Sequence, residues 1–221
     1  MAKSGRGGPP DQVQAEAAQA WQAACELYRH LASGGELVPR PSMMILQEGE
    51  VPYAELMLTF SRYFSTDVRA QQSSGFYFGS PAFVAAGMIG NAVSNSNARA
   101  RAEQMGVAQW RYNVPTAVAI TNRRVLTMFE GQWIQFPYAN VMSFFAEPTQ
   151  YAFVLTFGDA GPLRLTGPWA PWASLMTAAF IYGRERVAHL PAFQIFRDQV
   201  TDVVSIQGEQ PRAIERPDGR P

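Results

Sequence analysis

The chain has 221 residues, 47% of them hydrophobic, with 18 basic residues against 18 acidic ones, enough apolar material for one domain of ordinary size with tails or an insertion. The balanced charge leaves no basic footprint, so no nucleic-acid partner is expected. One cysteine, Cys25, excludes an internal disulfide, and with only His30 and His189 beside it no zinc-site spacing arises, so no metal or other cofactor is expected.

Residues 1–10 are small, polar and rich in Gly and Pro, and are expected to be a disordered tail. They carry Lys3 and Arg6 but lack the apolar run of a secretory signal, which makes a cytoplasmic location the expectation. Asp11, with Gln14 three residues on, can open a helix as a capping box. Val13, Ala17, Ala20, Trp21, Ala24, Leu27, Tyr28 and Leu31 then recur in steps of three and four, the stripe of an N-terminal helix over 11–35 that stops at Gly34-Gly35. Residues 36–50, with Pro39, Pro41 and Glu48-Gly49-Glu50, read as a linker whose carboxylates are solvated. Tyr53 to Phe64 is a mixture of aromatic and aliphatic residues partly alternating with polar ones, and predicts a long strand.

Residues 65–107 follow, too long a stretch for a structureless loop inside a compact domain. Ser80-Pro81 is a helix start, with a hydroxyl cap and a proline where its missing N–H costs nothing, and Gly106 is a stop, which predicts a helix at about 81–106. Ala82, Ala86, Gly90, Ser94, Ala98, Ala102 and Gly106 recur every four residues and form a small-residue groove that lets another backbone approach. Its first half, with Phe83 and Val93, is apolar over about 13 residues, roughly 20 Å, too short to span a bilayer. Its second half carries Arg99 and Arg101. The helix is open to three roles: packing on its own domain, self-association, or lying partly in a membrane.

From Ala108 onward, short apolar runs alternate with turn signals: Ala117–Ile120, Val125–Phe129, Trp133–Phe136, Val141–Phe145, Tyr151–Phe157 and Leu163–Leu165. Strands at such even spacing predict an antiparallel sandwich or barrel. Ala173–Tyr182, entered through Pro168–Trp172 and ended by Gly183, predicts an apolar helix that caps it. A C-terminal helix is expected within 184–206, and 207–221, polar and rich in Pro, as a disordered tail.

The order of one strand, an insertion, about six short strands and an apolar helix resembles a bacterial pleckstrin-homology-like (PH-like) domain of the GRAM-related kind, as in actinobacterial proteins. The local match is the hairpin Ile120-Thr121-Asn122-Arg123-Arg124-Val125, and the resemblance covers roughly residues 50–183. It implies an α+β chain with a PH-like antiparallel β-barrel or roll over 51–183 and a C-terminal capping helix. The N-terminal helix and the long helical insertion after the first strand are additions to that core. It also implies a non-catalytic interaction module whose partner is a protein or an anionic lipid surface. Lipid-binding members use basic residues around the loop after the first strand, and the ones near it here are Arg62, Arg69, Arg99, Arg101 and Arg111.

No nucleophile elbow, P-loop, dinucleotide glycine fingerprint, kinase signature or HExxH occurs. Cys25 and His30 lie five apart on a helix, about 140° around the axis, so they share no face. The expectation is therefore not an enzyme but a cytoplasmic interaction module, peripheral to the membrane. A self-assembling scaffold, homodimeric through the insertion helix, is the alternative, and an enzyme of unrecognised type the third. The interaction residues expected are Ala82, Phe83, Ala86, Gly90, Val93, Arg99 and Arg101, with headgroup contacts at Arg62, Arg69 and Arg111.

Overall fold

The computed structural model describes residues 10–64, 108–158 and 160–199. The expected insertion helix lies outside them, with Ala82, Phe83, Ala86, Gly90, Val93, Arg99 and Arg101, and so do Arg69 and residues 207–221.

Helix α1 (Pro10–Ala32) begins one residue before Asp11. It buries Ala20, Ala24, Tyr28 and Leu31, the stripe its sequence periodicity predicts. Its end falls short of residue 35 because Gly34 turns to a φ of +84°, a left-handed conformation that glycine adopts without penalty.

Among the described residues, seven strands form one antiparallel sheet: β1 (Pro52–Phe64), β2 (Gln109–Thr121), β3 (Arg124–Phe129), β4 (Gln132–Pro137), β5 (Val141–Glu147), β6 (Ala152–Phe157) and β7 (Leu163–Thr166). Their order is β4-β3-β2-β1-β7-β6-β5. The long strand β1 is the hinge of this arrangement: it pairs with β2 along its length and with β7 over Thr59–Arg62, joining two meanders. The ladder is open, with β4 and β5 as its edges. It nonetheless curls, because apolar positions of the two meanders share one core: the rings of Phe136 on β4 and Phe157 on β6 lie 5.7 Å apart, with Phe60, Phe153, Leu155, Leu163 and Leu165 around them.

Helix α2 (Ala170–Tyr182) is apolar on every side, and the packing explains why. Ala170, Ala173 and Met176 close the sheet's core. Leu175, Ala178 and Ala179 enter a second core with Tyr28 and Leu31 of α1 and with Phe193 and Phe196. A helix between two apolar layers has no polar face to spare.

Within 184–206, where a C-terminal helix is expected, the described residues form two short helical pieces. Helix α3 covers only Arg184–Val187, a 3₁₀ turn follows at Pro191–Phe193, and residues 194–199 are helical again. Pro191 cannot donate an intrahelical hydrogen bond, and Leu190 before it is extended. The break lets the 194–199 turn fold back on α1, where Gln199 Oε1 accepts from Trp21 Nε1 at 2.7 Å and from the Cys25 thiol at 3.3 Å.

Candidate functional site

Two polar constellations stand out, and they differ in how far their groups are already satisfied. The first is the Thr121–Arg124 hairpin between β2 and β3. Thr121 Oγ1 accepts from the backbone N–H groups of Arg123 and Arg124 at 3.1 and 3.0 Å and so builds the turn. Asn122 clamps the chain that enters β1. Its Oδ1 accepts from Val51 N at 2.8 Å, its Nδ2 donates to Gly49 O at 3.2 Å, and its own N–H donates to Val51 O at 3.0 Å. Arg124 grips Glu50 in a two-pronged ion pair, Nε to Oε1 at 2.8 Å and Nη2 to Oε2 at 2.7 Å.

The Glu50 side chain is fully buried, which corrects the expectation of a solvated linker carboxylate. A buried carboxylate persists only if its lone pairs are met, and here Thr121 Oγ1 and the N–H of Gln47 meet the remaining ones at 2.8 and 2.9 Å. Burial pushes the Glu50 carboxyl up, but Arg124, Gln47 and Thr121 outweigh it and hold it below the usual carboxylate range. A shallow cleft of about 380 Å³ opens beside the hairpin, lined by Gln47, Arg123, Gln135, Tyr138 and Phe180. The chemistry behind it is committed to the latch, so this motif is a structural device rather than a binding site.

The second constellation lies where β1, β2 and β7 meet, at the far end of β1 from that latch. Cross-strand register sets Arg62 against Arg111, Tyr63 against Trp110, and Ser61 against Arg164. On one face, Tyr63 and Trp110 touch edge to face with centroids 5.4 Å apart, and the Arg164 guanidinium lies over the Trp110 ring at 5.7 Å. On the other face, the Arg62 guanidinium lies over Phe136 at 5.0 Å. Arg111 lies over Phe64 at 5.4 Å and donates from Nε to the Phe64 carbonyl at 3.2 Å. Tyr112 adds a ring 4.6 Å from Phe129 and 5.5 Å from Phe64.

A bulge makes this end. Phe60 pairs with Val114 and Arg62 with Arg111, so Tyr112 and Asn113 face Ser61 alone. Both take a left-handed φ, +76° and +47°, which is costly for a tyrosine and re-aims its ring onto the sheet's rim. Tyr63, Trp110 and Tyr112 remain exposed. Arg62 does not: only 3% of it is accessible, and burial holds its guanidinium down to about 10. As placed, it lines the inner wall of this end, which corrects its expected role as a surface headgroup contact. Burial, with Glu130 nearby, raises the Tyr112 phenol.

The structure thus brings together Arg62 and Arg111 of the expected residues and adds Arg164, Tyr63, Trp110 and Tyr112. Arg164 was missed because it sits alone on a strand more than fifty positions away. The signal for the aromatics was present: Arg62-Tyr63-Phe64 and Trp110-Arg111-Tyr112 flank the insertion and converge once β1 pairs with β2. Elsewhere, His30 Nε2 bonds the Glu36 carbonyl at 2.9 Å, a packing role. Among the described residues no group of three or more His, Cys, Asp or Glu side chains could hold a metal, and no helix is long and apolar enough to cross a membrane.

No protein-family model matches the chain, and no curated protein matches it.

Proposed function

We propose that this protein is a non-catalytic, PH-like interaction module that docks on an anionic lipid surface, at the cytoplasmic face of a membrane, through the end where β1, β2 and β7 meet. Seven antiparallel strands followed by an apolar capping helix support the PH-like reading, since this is the element order that the family resemblance implies. One observation carries the functional reading: Arg111, Arg164 and the exposed rings of Tyr63, Trp110 and Tyr112 converge on one end of the sheet.

The chemistry of that end fits a headgroup layer. Trp and Tyr rings favour the boundary between water and acyl chains, and arginines meet phosphate oxygens with a planar fork of donors.

The test is co-sedimentation of the full-length protein with phosphatidylcholine vesicles, with and without phosphatidylglycerol, across a salt series. Binding should need the anionic lipid and weaken as salt rises. An arginine near such a surface contributes about 1 kcal/mol, so Arg164→Gln should lower the affinity roughly fivefold and flatten the salt dependence. Equal binding to neutral vesicles, or an affinity indifferent to Arg164→Gln, would overturn the reading.

A further inference from the structure

The two edges of the sheet are not alike. Strand β4 ends in Pro137, which has no N–H to offer, and carries Gln132 and Gln135 along its six residues. Strand β5 has no proline and no basic residue, and its one charge, Glu147, stands at its end. None of its seven residues is buried, and Phe145 is 56% exposed. Among the described residues, only β6 makes backbone hydrogen bonds with Ser143–Glu147. Charges, prolines and bulges are how sheet edges avoid pairing. Here the one bulge falls between Val141 and Ser143, and among the described residues Ser143–Glu147 is left regular and unguarded.

We propose that β5 is a homodimerisation edge, at which two copies of the chain pair antiparallel about a two-fold axis through Phe145. An edge of free N–H and C=O groups takes an extended strand as its partner, and the side chains choose a second copy. In this register Phe145 faces the partner's Phe145, Phe144 faces the partner's Ala146, and Ser143 faces the partner's Glu147. The exposed ring is covered by its own mate, and the other large ring meets a small residue. No carboxylate faces another: the two Glu147 side chains end up four residues apart along the ladder, about 14 Å.

Neighbouring registers fit less well. Centring the axis on Phe144 draws the bulge at Met142 into the ladder, and centring it on Ala146 sets Phe145 against a carboxylate. The edge is also held in place before pairing, because Phe144 packs on Phe153, Tyr182 and Phe193 with centroids 6.0 to 6.4 Å apart. Less ordering is then lost on association.

Sedimentation equilibrium of the full-length, lipid-free protein tests the pairing. The wild type should show twice the 24.4 kDa of the chain, and Phe145→Lys should return it to 24.4 kDa with an unchanged far-ultraviolet spectrum and melting temperature. In a Cys25→Ser background, Phe145→Cys should form a disulfide-linked dimer on mild oxidation, since facing residues of a ladder have Cβ atoms about 5 Å apart. Met57→Cys, equally exposed on the outer face of β1, should not. A wild type that stays monomeric at its highest attainable concentration overturns the proposal. So does a dimer that survives Phe145→Lys, or a Met57→Cys chain that links as readily as Phe145→Cys. Because no lipid is present, these outcomes are independent of vesicle binding.

Discussion

Glu50 and Arg124, 74 positions apart, meet through two hydrogen bonds of 2.8 and 2.7 Å, with the Glu50 side chain fully buried and the Arg124 side chain 11% exposed. The pair ties the segment entering β1 to the β2–β3 hairpin, and Thr121 and Gln47 complete the carboxylate's shell. Breaking one half of such a pair leaves an uncompensated buried charge, at a cost of about 3–5 kcal/mol. Glu50→Gln should therefore lower the urea midpoint sharply without changing the m-value. Glu50→Gln with Arg124→Met should recover much of that loss, because neither charge is then stranded.

The same carboxylate gives a pH dependence of known sign. Its folded pKa lies below its unfolded one, so the native state binds the proton more weakly and the pair's stabilisation is fully present above the unfolded value, about 4.3. Stability should fall as pH drops through the depressed folded value, and in Glu50→Gln that part of the fall should vanish. Denaturant titrations at a series of pH values from neutral to strongly acidic measure it, and identical slopes in both proteins would contradict it.

Gly161 controls the end of the sheet that carries the arginines. A Cβ there would stand 2.3 Å from the Tyr63 carbonyl oxygen, which is backbone and cannot swing aside. The neighbouring Pro162 carbonyl accepts from Tyr63 N at 3.1 Å, the contact that holds β1 to the chain entering β7. Gly161→Ala should destabilise the protein by about 1–3 kcal/mol, as overpacking does. It should also weaken vesicle binding, since Tyr63 and Arg164 sit on either side of that junction. Equilibrium unfolding and co-sedimentation check the two effects separately.

Helix α2 links the two apolar clusters, so they should melt as one unit. Phe60→Ala in the sheet core and Leu175→Ala in the helical core should cost about 3–5 and 2–5 kcal/mol respectively. Both should shift a single transition seen alike by tryptophan fluorescence and far-ultraviolet dichroism. Two separate transitions in the Leu175→Ala protein would show that the helical layer folds on its own.

Much of the fold was legible. Every short apolar run after Ala108 falls in a strand, except that Tyr151 of the Tyr151–Phe157 run is the left-handed turn residue before β6, because alternation on a half-buried sheet and the turn residues between runs are local properties. Helix α1 was equally plain, since a stripe at steps of three and four needs no tertiary information. The turn of helix after Pro191 was legible as well, since Phe193 and Phe196 stand three apart and both are buried. Thr121-Asn122 is ordinary turn chemistry as a sequence; that Asn122 also clamps Val51 depends on a contact across 71 positions.

By itself the sequence determined the kind of elements and their order: helix, long strand, six further strands, apolar helix, although the first of the six, expected as a short run at Ala117–Ile120, is as long as β1. Periodicity, caps and turn residues act within a few positions, so they can be read without knowing what lies across the fold. Only the tertiary structure decided which groups share an environment. It buried Glu50 where a linker carboxylate was expected in water, turned Arg62 inward over Phe136, and carried Arg164 beside Trp110. Solvation and charge pairing depend on neighbours brought together by strand register. A register is a property of two segments at once, and neither segment states it alone.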